Sequence, residues 1–420
     1  MQRHARIPFK DLDAEAWKRL ALMALVVFYV FQLAIPLIKK DLFNPMGFDF
    51  LGFWSAGRLA TQAGYAQVYD LQLLRNIQVQ QLSTMGLSTI NISPYPTPFF
   101  SVFIVPFQLL SFFDATTAFL VWSIISLTGC VLYMTFFISR IDRTGTLGAV
   151  PLRILIFMLL SYELFLNLYW GQVEVFLLIC CGEFIRNAIL DKPLVSGLWL
   201  GGMLLKPQVL ILVLPAFLLL RNWRLLAGFI LALSGILVAS IGLSGPGGLL
   251  SLVRLWLDYA PGLATNAPEV MTNWRMLEYH LWPLISPVGG WIVVALGMTG
   301  SLIIWYFLWR KKPSFGTVEW ITMAAGLFAI SCAFTWHSHL HMMAVVIPFL
   351  IYASIKKIIP NAVYEIWVFA VPAVVLVALI IATFLHIGSL PINSFGGFLL
   401  GGTGLAMNLM ISLVMMRYKT

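Results

Sequence analysis

The chain has 420 residues, of which 60% are hydrophobic and only 10% are charged, and its formal net charge is +9. A soluble domain of this length could not cover so much apolar surface with polar atoms, so the composition excludes that class. The positive charge lies mostly in basic clusters between apolar runs. We therefore interpret it as a topology signal and expect no nucleic-acid partner.

Apolar runs of roughly 20 residues, the length with which an α-helix crosses a bilayer, recur along the whole chain. The basic clusters that separate them lie at residues 3–19, 140–153, 186–192, 221–224, 310–312, 356–357 and 417–419. Because cytoplasmic loops are enriched in Lys and Arg, these clusters are expected to be cytoplasmic. The predicted spans are, in chain order, 20–38, 115–138, 153–168, 172–187, 194–205, 208–220, 225–243, 289–309, 317–335, 340–355, 363–385 and 395–416. The sequence thus predicts an all-α polytopic membrane protein of about twelve transmembrane helices with both termini inside.

One apolar run, "PFFSVFIVPFQLLSFF" at residues 98–113, is short and contains Pro106. We predict that it is re-entrant or interfacial. A thirteenth span is the alternative, and it would move the basic residues of 140–153 outside. The short runs 194–205 and 208–220 are predicted to be two tilted or partial helices that meet at Lys206, before a proline that ends the helical pattern.

Two predicted non-cytoplasmic loops, residues 39–97 and 244–286, are unusually long. In the first, "FLGFWSAGRLATQAG" and "VYDLQLLRNIQVQQL" each have helical periodicity with one apolar face, which predicts helices in the plane of the membrane. Long ordered loops usually carry function, so both are expected to form the active-site face. With no hydrophilic domain apparent, we predict one domain over residues 1–420.

Charged and amide residues away from the basic clusters map to the outer ends of the spans or to the outer loops. They are Asp49, Arg58, Asp70, Gln172, Glu174, Lys206, Asn273, Arg275, His337, His339 and His341. A charge at the bilayer centre costs roughly 2.5–3.5 kcal/mol, so a shared outward-facing cavity is the economical explanation.

Asp49 lies between two phenylalanines just beyond the first span. It suits the N-cap of a helix that begins near Leu51. It also suits a general base, since a carboxylate that is partly desolvated by aromatic rings binds its proton more tightly. The two roles are compatible.

Two cations and a histidine cluster suit an anion. Lys206 sits at the helix break and Arg275 lies in "MTNWRML"; either suits a phosphate, although Lys206 also fits a lysine that extends to the membrane surface. The segment "TWHSHLHMM" contains His337, His339 and His341. Zinc binding, structural hydrogen bonding and substrate contact all remain open for these histidines. We predict neither a metal nor a cofactor.

Six segments together resemble glycosyltransferase family 87. They are "DFLGFWSAGRLATQAGYAQVYDLQLL", "SPYPTPFFSVFIVPFQLL", "WGQVEVFLLI", "GLWLGGMLLKPQVLILVLPAFLLLRNWRLLAG", "MTNWRML" and "TWHSHLHMM". They occur in the family's order and cover most of the chain, and the Lys-Pro-Gln block is the most specific. Thr97 and Glu174 depart from the family pattern, which commonly has a second proline and an amide there.

The resemblance implies a GT-C-type bundle in the plasma (inner) membrane with its active site on the non-cytoplasmic side. It implies a hexosyltransferase, α-mannosyltransferase-like, that uses a polyprenyl-phosphate sugar as donor and a glycolipid or glycan of the envelope as acceptor. No nucleotide-binding motif appears, which agrees with a lipid-linked donor. A single displacement with inversion is expected.

The site residues expected on these grounds form three groups. Asp49 is the catalytic base, by its match to the family's first-loop Asp. The residues expected at the donor phosphate are Lys206, Arg275, His337, His339 and His341. Those expected to bind substrate are Arg58, Tyr95, Gln172, Glu174 and Asn273. Two rival functions are a transporter or flippase of lipid-linked sugars, which would show repeats and a cytoplasmic polar pathway, and an inactive partner in envelope assembly.

Overall fold

The computed structural model describes residues 13–39, 42–43, 46–87, 94–141, 150–262, 267–384 and 396–418. All regular structure in these residues is helical, which confirms the predicted all-α class. Several predicted segments lie partly outside the described residues, namely the basic clusters at 3–12, 142–149 and 419, the loops 39–97 and 244–286, and the span ends 385 and 395.

The chain divides into two compact units, Met1–Leu42 and Phe43–Thr420. The first unit contains α1 (Ala14–Lys39), which is long and apolar enough to cross a membrane and includes the predicted span 20–38. Whether residues 1–420 act as one domain stays a prediction.

The described residues of the second unit form sixteen further α-helices. In chain order they are α2 (Phe48–Ala63), α3 (Leu71–Thr84), α4 (Val105–Leu110), α5 (Ala115–Ile141), α6 (Val150–Leu159), α7 (Tyr162–Trp170), α8 (Glu174–Ile189), α9 (Pro193–Gly201), α10 (Val213–Leu219), α11 (Trp223–Gly262), α12 (Trp274–Leu281), α13 (Pro287–Trp309), α14 (Val318–Phe334), α15 (Ile347–Ile355), α16 (Asn361–Phe384) and α17 (Gly397–Arg417).

Five helices among the described residues are long and apolar enough to cross a membrane, or six if one bent pair forms a single span. The five are α1, α5, α11, α13 and α17. The other predicted spans correspond to shorter or broken helices, so the count of about twelve remains a prediction. The chain is nevertheless a multi-pass membrane protein by the length and composition of these helices.

The predicted break at Lys206 is confirmed. Lys206 has φ −138° and ψ 79° and separates two short 3₁₀ helices, Gly202–Leu205 and Pro207–Leu210. The cause is the following proline, whose ring disfavours a helical conformation for the residue before it. Lys206 therefore lies at the break between α9 and α10.

The segment 98–113 forms a helical stretch of only ten residues, Ser101–Leu110. This is about half the length that a full crossing requires. The observation favours the interfacial or re-entrant interpretation over a thirteenth span. The two predicted helices of the first loop are present as α2 and α3.

Two predicted spans differ from the structure. The span 153–168 is two helices, α6 and α7, bent by 49° where Ser161 adopts an extended conformation. The span 225–243 is followed by more helix than predicted, because α11 consists of two helical parts joined at Gly245, whose φ of 69° and ψ of 171° are not helical. Glycine tolerates that angle, so the helix changes direction and extends into the predicted loop.

The most enclosed part of the second unit is α14, in which every residue from Trp320 to Ala333 is buried. The neighbouring stretch Leu340–Ile355 is nearly as buried. The three histidines precede or begin that stretch: His337 and His339 are half-buried in the non-helical segment before it, and His341 is buried near its start.

Candidate active site

Asp49 lies in the first turn of α2, and its carboxylate is buried. The helix begins at Phe48, and its N-cap is Gly47, without a side-chain cap. The interpretation of Asp49 as an N-cap is therefore wrong, because the helix starts earlier than Leu51 and the side chain points elsewhere. Its Oδ2 accepts a hydrogen bond from Nε2 of Gln172.

Tyr95 also donates to the Asp49 carboxylate. The tyrosine lies over Gly52, one helical turn after Asp49, where a Cβ would come within 2.4 Å of its ring. Only glycine leaves room for this approach. The main chain of Tyr95 is in turn bound by Gln78 of α3, which donates to its carbonyl at 2.9 Å and accepts from its N–H at 3.0 Å.

Gln172 reaches Asp49 from the turn between α7 and α8. Gly171 has φ 71° there, and a Cβ would come within 2.5 Å of the Cβ of Phe50. The Gln172 N–H donates to the carbonyl of Asn167 at 2.8 Å, and its carbonyl accepts from the indole of Trp122 at 3.2 Å. Both main-chain polar groups of Gln172 are therefore bonded.

Lys206 extends this contact to two further groups. Its Nζ donates to Oε1 of Gln172 at 3.0 Å and forms an ion pair with Oε1 of Glu174. The same glutamate oxygen lies 3.5 Å from Nε2 of His341. Asp49, Gln172, Lys206, Glu174 and His341 form a continuous, largely buried set of contacts, which we call the polar network.

The three histidines cluster. The ring centroids of His337 and His339 are 4.7 Å apart, and those of His339 and His341 are 5.6 Å apart and stacked. His337 and His339 are in non-helical chain, and His341 is in the 3₁₀ helix Leu340–Val346. The cluster therefore continues the polar network away from Asp49.

The segment that carries Arg275 is tied to the histidine segment. The Thr272 N–H donates to the carbonyl of Ser338 at 2.8 Å, and the Asn273 amide donates to the carbonyl of Thr335 at 2.8 Å. Asn273 is extended and precedes α12, so Arg275 falls in the first turn of that helix.

The Arg275 guanidinium lies over the ring of Trp336, with 4.6 Å between Cζ and the ring centroid. Trp336 stacks on Trp291 with 5.5 Å between ring centroids. We call Arg275, Trp336 and Trp291 the arginine cluster. Burial lowers the pKa of Arg275, which nonetheless remains a cation near neutral pH because an arginine ordinarily titrates above 12.

Lys206 at one end of the site and Arg275 at the other both affect the pKa of His337. Burial lowers the pKa of His337 well below its ordinary value of 6.5, and His339, Lys206 and Arg275 lower it further. His337 thus lies within the fields of both cations and is neutral near pH 7. Burial raises the pKa of Asp49 to about 6, although the hydrogen bonds from Gln172 and Tyr95 oppose the rise.

Three buried polar atoms near this site have no hydrogen-bond partner among the described residues. They are the acceptors Glu174 Oε2 and Asn273 Oδ1 and the donor Arg275 Nη1. Buried polar atoms are rarely unpaired in folded proteins. A bound ligand or an ordered water can supply the hydrogen bonds that these three atoms lack.

Most of the predicted site residues converge, but Arg58 does not belong to these contacts. Its guanidinium donates to the carbonyl of Ser111 at 3.0 Å, and it lies nine residues along α2 from Asp49. At 1.5 Å per residue that is about 13 Å. Its role in substrate binding stays a prediction.

Sequence reasoning missed two supporting residues. Gln78 shares the buried face of α3 with Leu74 and Leu82, and an amide at that apolar spacing was the available signal. Trp336 directly precedes His337, and no sequence pattern indicates that it contacts Arg275.

The sequence model of glycosyltransferase family 87 matches residues 95–335, which is more than half of the chain. The chain belongs to glycosyltransferase family 87. The helical membrane architecture is consistent with the GT-C fold of that family. A search of curated proteins found no match.

Family 87 membership makes the protein a glycosyltransferase, which requires a sugar donor and an acceptor. The matched residues include Tyr95, Gln172, Glu174, Lys206 and Arg275. Asp49 precedes the matched segment and the histidines follow it. The contacts described above join both to the matched part of the chain.

Proposed function

We propose that this family 87 enzyme transfers a hexose, specifically mannose, from a polyprenyl-phosphate sugar to a glycolipid or glycan of the cell envelope. The reaction takes place on the non-cytoplasmic side of the plasma membrane. The observation that carries the proposal is the polar network, in which a buried carboxylate is joined to a lysine and a histidine cluster.

Asp49 acts as the general base. A base must be ionised at working pH yet bind a proton well enough to remove one, and a pKa of about 6 satisfies both conditions. Asp49 takes the proton of an acceptor hydroxyl while that oxygen attacks the anomeric carbon. The bond between that carbon and the phosphate oxygen breaks, and its electron pair stays with the phosphate. One displacement of this kind inverts the anomeric centre.

The donor phosphate binds at the opposite end of the site. Arg275 offers a buried N–H that no described residue accepts, and His337, which is neutral near pH 7, lies within its electrostatic field and packs against His339. Lys206 has three N–H donors, of which two are used by Gln172 and Glu174. The third remains for a phosphate oxygen. These donors stabilise the negative charge that develops on the leaving phosphate.

Sugar hydroxyls donate hydrogen bonds to the two buried acceptors that remain unpaired. Glu174 Oε2 and Asn273 Oδ1 are buried acceptors that need O–H donors, and a hexose supplies several. The lipid part of the donor requires an apolar surface that opens to the bilayer. Our candidate for that surface on the same unit is the short helical stretch Ser101–Leu110 together with the exposed Phe112 and Phe113 that follow it.

The direct test is transfer by purified protein, with a panel of radiolabelled polyprenyl-phosphate sugars and envelope lipid extract as acceptor. We expect label to move from polyprenyl-phosphate mannose to a lipid or glycan product with inverted configuration. Transfer only from nucleotide sugars, or retention of configuration, would contradict the proposal.

The side of the membrane is tested by labelling. In a variant without the four native cysteines, Gln72→Cys in α3 should react with an impermeant thiol reagent in intact cells, and Ser139→Cys at the end of α5 should not. Both positions are exposed. Labelling at 139 would instead support thirteen spans.

A further inference from the structure

The side-chain amide of Gln172 lies between two groups of opposite charge. Its Nε2 donates to Oδ2 of Asp49, and its Oε1 accepts from Nζ of Lys206 at 3.0 Å. The residue is 2% exposed. Both ends of the amide are therefore used by the protein itself, which differs from the substrate contact expected from sequence.

The orientation of this amide is determined by Lys206. A reversed amide would place its oxygen against the Asp49 carboxylate and its N–H groups against the ammonium, so that both contacts would become repulsive. Lys206 is itself paired with Glu174, whose side chain is fully buried. The ion pair between Lys206 and Glu174 thus determines which end of the Gln172 amide faces Asp49.

The main chain of Gln172 is held in place, so it cannot shift to accommodate a reversed side-chain amide. Its N–H and carbonyl are both bonded, and the preceding Gly171 is in the left-handed region. The Gln172 amide therefore contacts Asp49 in one orientation.

We propose that Gln172 is a positioning residue that holds the Asp49 carboxylate in one orientation for proton removal, with its own amide oriented by Lys206. This rests on the proposed role of Asp49 as base. Because Lys206 also faces the donor-phosphate end, the same lysine connects the base with the leaving group.

The charged or titratable groups that act on Asp49 are Lys206, Glu174 and Tyr95. The Gln172 hydrogen bond is the largest influence that lowers the pKa of Asp49. Its loss should therefore make Asp49 easier to protonate, and this effect can be measured without substrate.

The experiment is an infrared pH titration of the Asp49 carboxyl stretch in purified protein, identified as the band that Asp49→Asn removes. In wild type its midpoint should lie near pH 6. Gln172→Met, which has similar length and no hydrogen bond, should raise the midpoint by about one pH unit. Asn408→Leu, which replaces a buried amide in α17, is the matched control and should leave it unchanged.

An unchanged midpoint in folded Gln172→Met would overturn the proposal. If that variant does not fold, Gln172→Leu serves instead, since it also removes the hydrogen bond to Asp49 and leaves the charge of Lys206 in place. In the transfer assay, Gln172→Met should lower kcat about tenfold with donor KM unchanged. If the wild-type protein transfers no sugar while Gln172→Met still raises the Asp49 midpoint, the result would refute the proposed function alone.

Discussion

The Asp49 end of the polar network is buried, whereas Trp336 and Trp291 of the arginine cluster are exposed, and the two regions differ in how completely the protein satisfies their polar groups. At the Asp49 end, Gln172 and Tyr95 bind the carboxylate, and Lys206 binds Gln172. At the other end, Arg275 lies over Trp336 with an N–H that no described residue accepts. Asn273 Oδ1 is likewise unpaired.

At the Asp49 end the protein orients the base in advance, whereas at the Arg275 end it leaves donors available for a ligand. A base has to be oriented before the acceptor arrives, so its partners belong to the protein and add no reorganisation during the reaction. A phosphate site needs donors that are still available, because a buried unpaired donor gains most when a ligand oxygen binds it. The comparison predicts that changes at the two ends affect different kinetic constants.

The largest expected effect is that of Asp49→Asn. Asparagine has nearly the same size but cannot remove a proton, so kcat should fall by about 10²–10⁴-fold. Donor binding should persist, because Arg275 and the histidines are unchanged. Single-turnover transfer and a separate donor-binding measurement check this.

The matched control is Asp70→Asn. Asp70 is the N-cap of α3 and accepts from the N–H groups of Gln72 and Leu73, which asparagine also does. Its activity should match wild type. Near-normal turnover in Asp49→Asn would transfer the role of base to another residue.

Arg275→Ala should have the next largest effect, and on a different constant. A hydrogen bond to a charged group contributes about 1.5–3 kcal/mol, so donor KM should rise roughly tenfold to a hundredfold. Initial rates over a range of donor concentrations measure it. Arg254→Ala, an exposed arginine in α11, is the control. A normal donor KM in Arg275→Ala would make the arginine cluster structural.

Gly171→Ala should have the smallest effect, and on stability. The side chain would have to adopt φ 71° and would meet the Cβ of Phe50, which together cost about 1–3 kcal/mol. The midpoint of thermal unfolding in detergent should therefore fall. Gly300→Ala in α13, where a Cβ meets nothing within 4 Å, should leave it unchanged. Equal midpoints would show that the turn before Gln172 is not strained.

Much of the fold was predictable because long apolar runs and a helix-breaking proline act locally. The all-α class, α2, α3 and the break at Lys206 all follow from such signals. The helical part of α11 after Gly245 did not, since a glycine followed by a proline signals the break at Gly245 but not a further helix beyond it. The bend between α6 and α7 contains neither residue type and gave no signal.

The residues of the polar network could be singled out from the sequence, but their contacts could not. An acid among aromatic residues and cations on the outer side are visible in the chain, because they are costly in a membrane. The pairing of Lys206 with Glu174, and the position of Gln172 between Lys206 and Asp49, depend on where α2, α8 and the Lys206 break meet. The N-cap interpretation of Asp49 failed for a related reason, since Asp is favourable both at the cap and in the first turn.

The most direct test of the account is the pH dependence of transfer by wild type and by Asp49→Asn. The base is active when ionised, and the Asp49 pKa of about 6 means that activity is complete above that pH. Below it, a proton occupies the carboxylate and the rate should fall about tenfold per pH unit. The residual rate of Asp49→Asn should show no such decrease. An identical acidic decrease in both proteins would contradict Asp49 as the base.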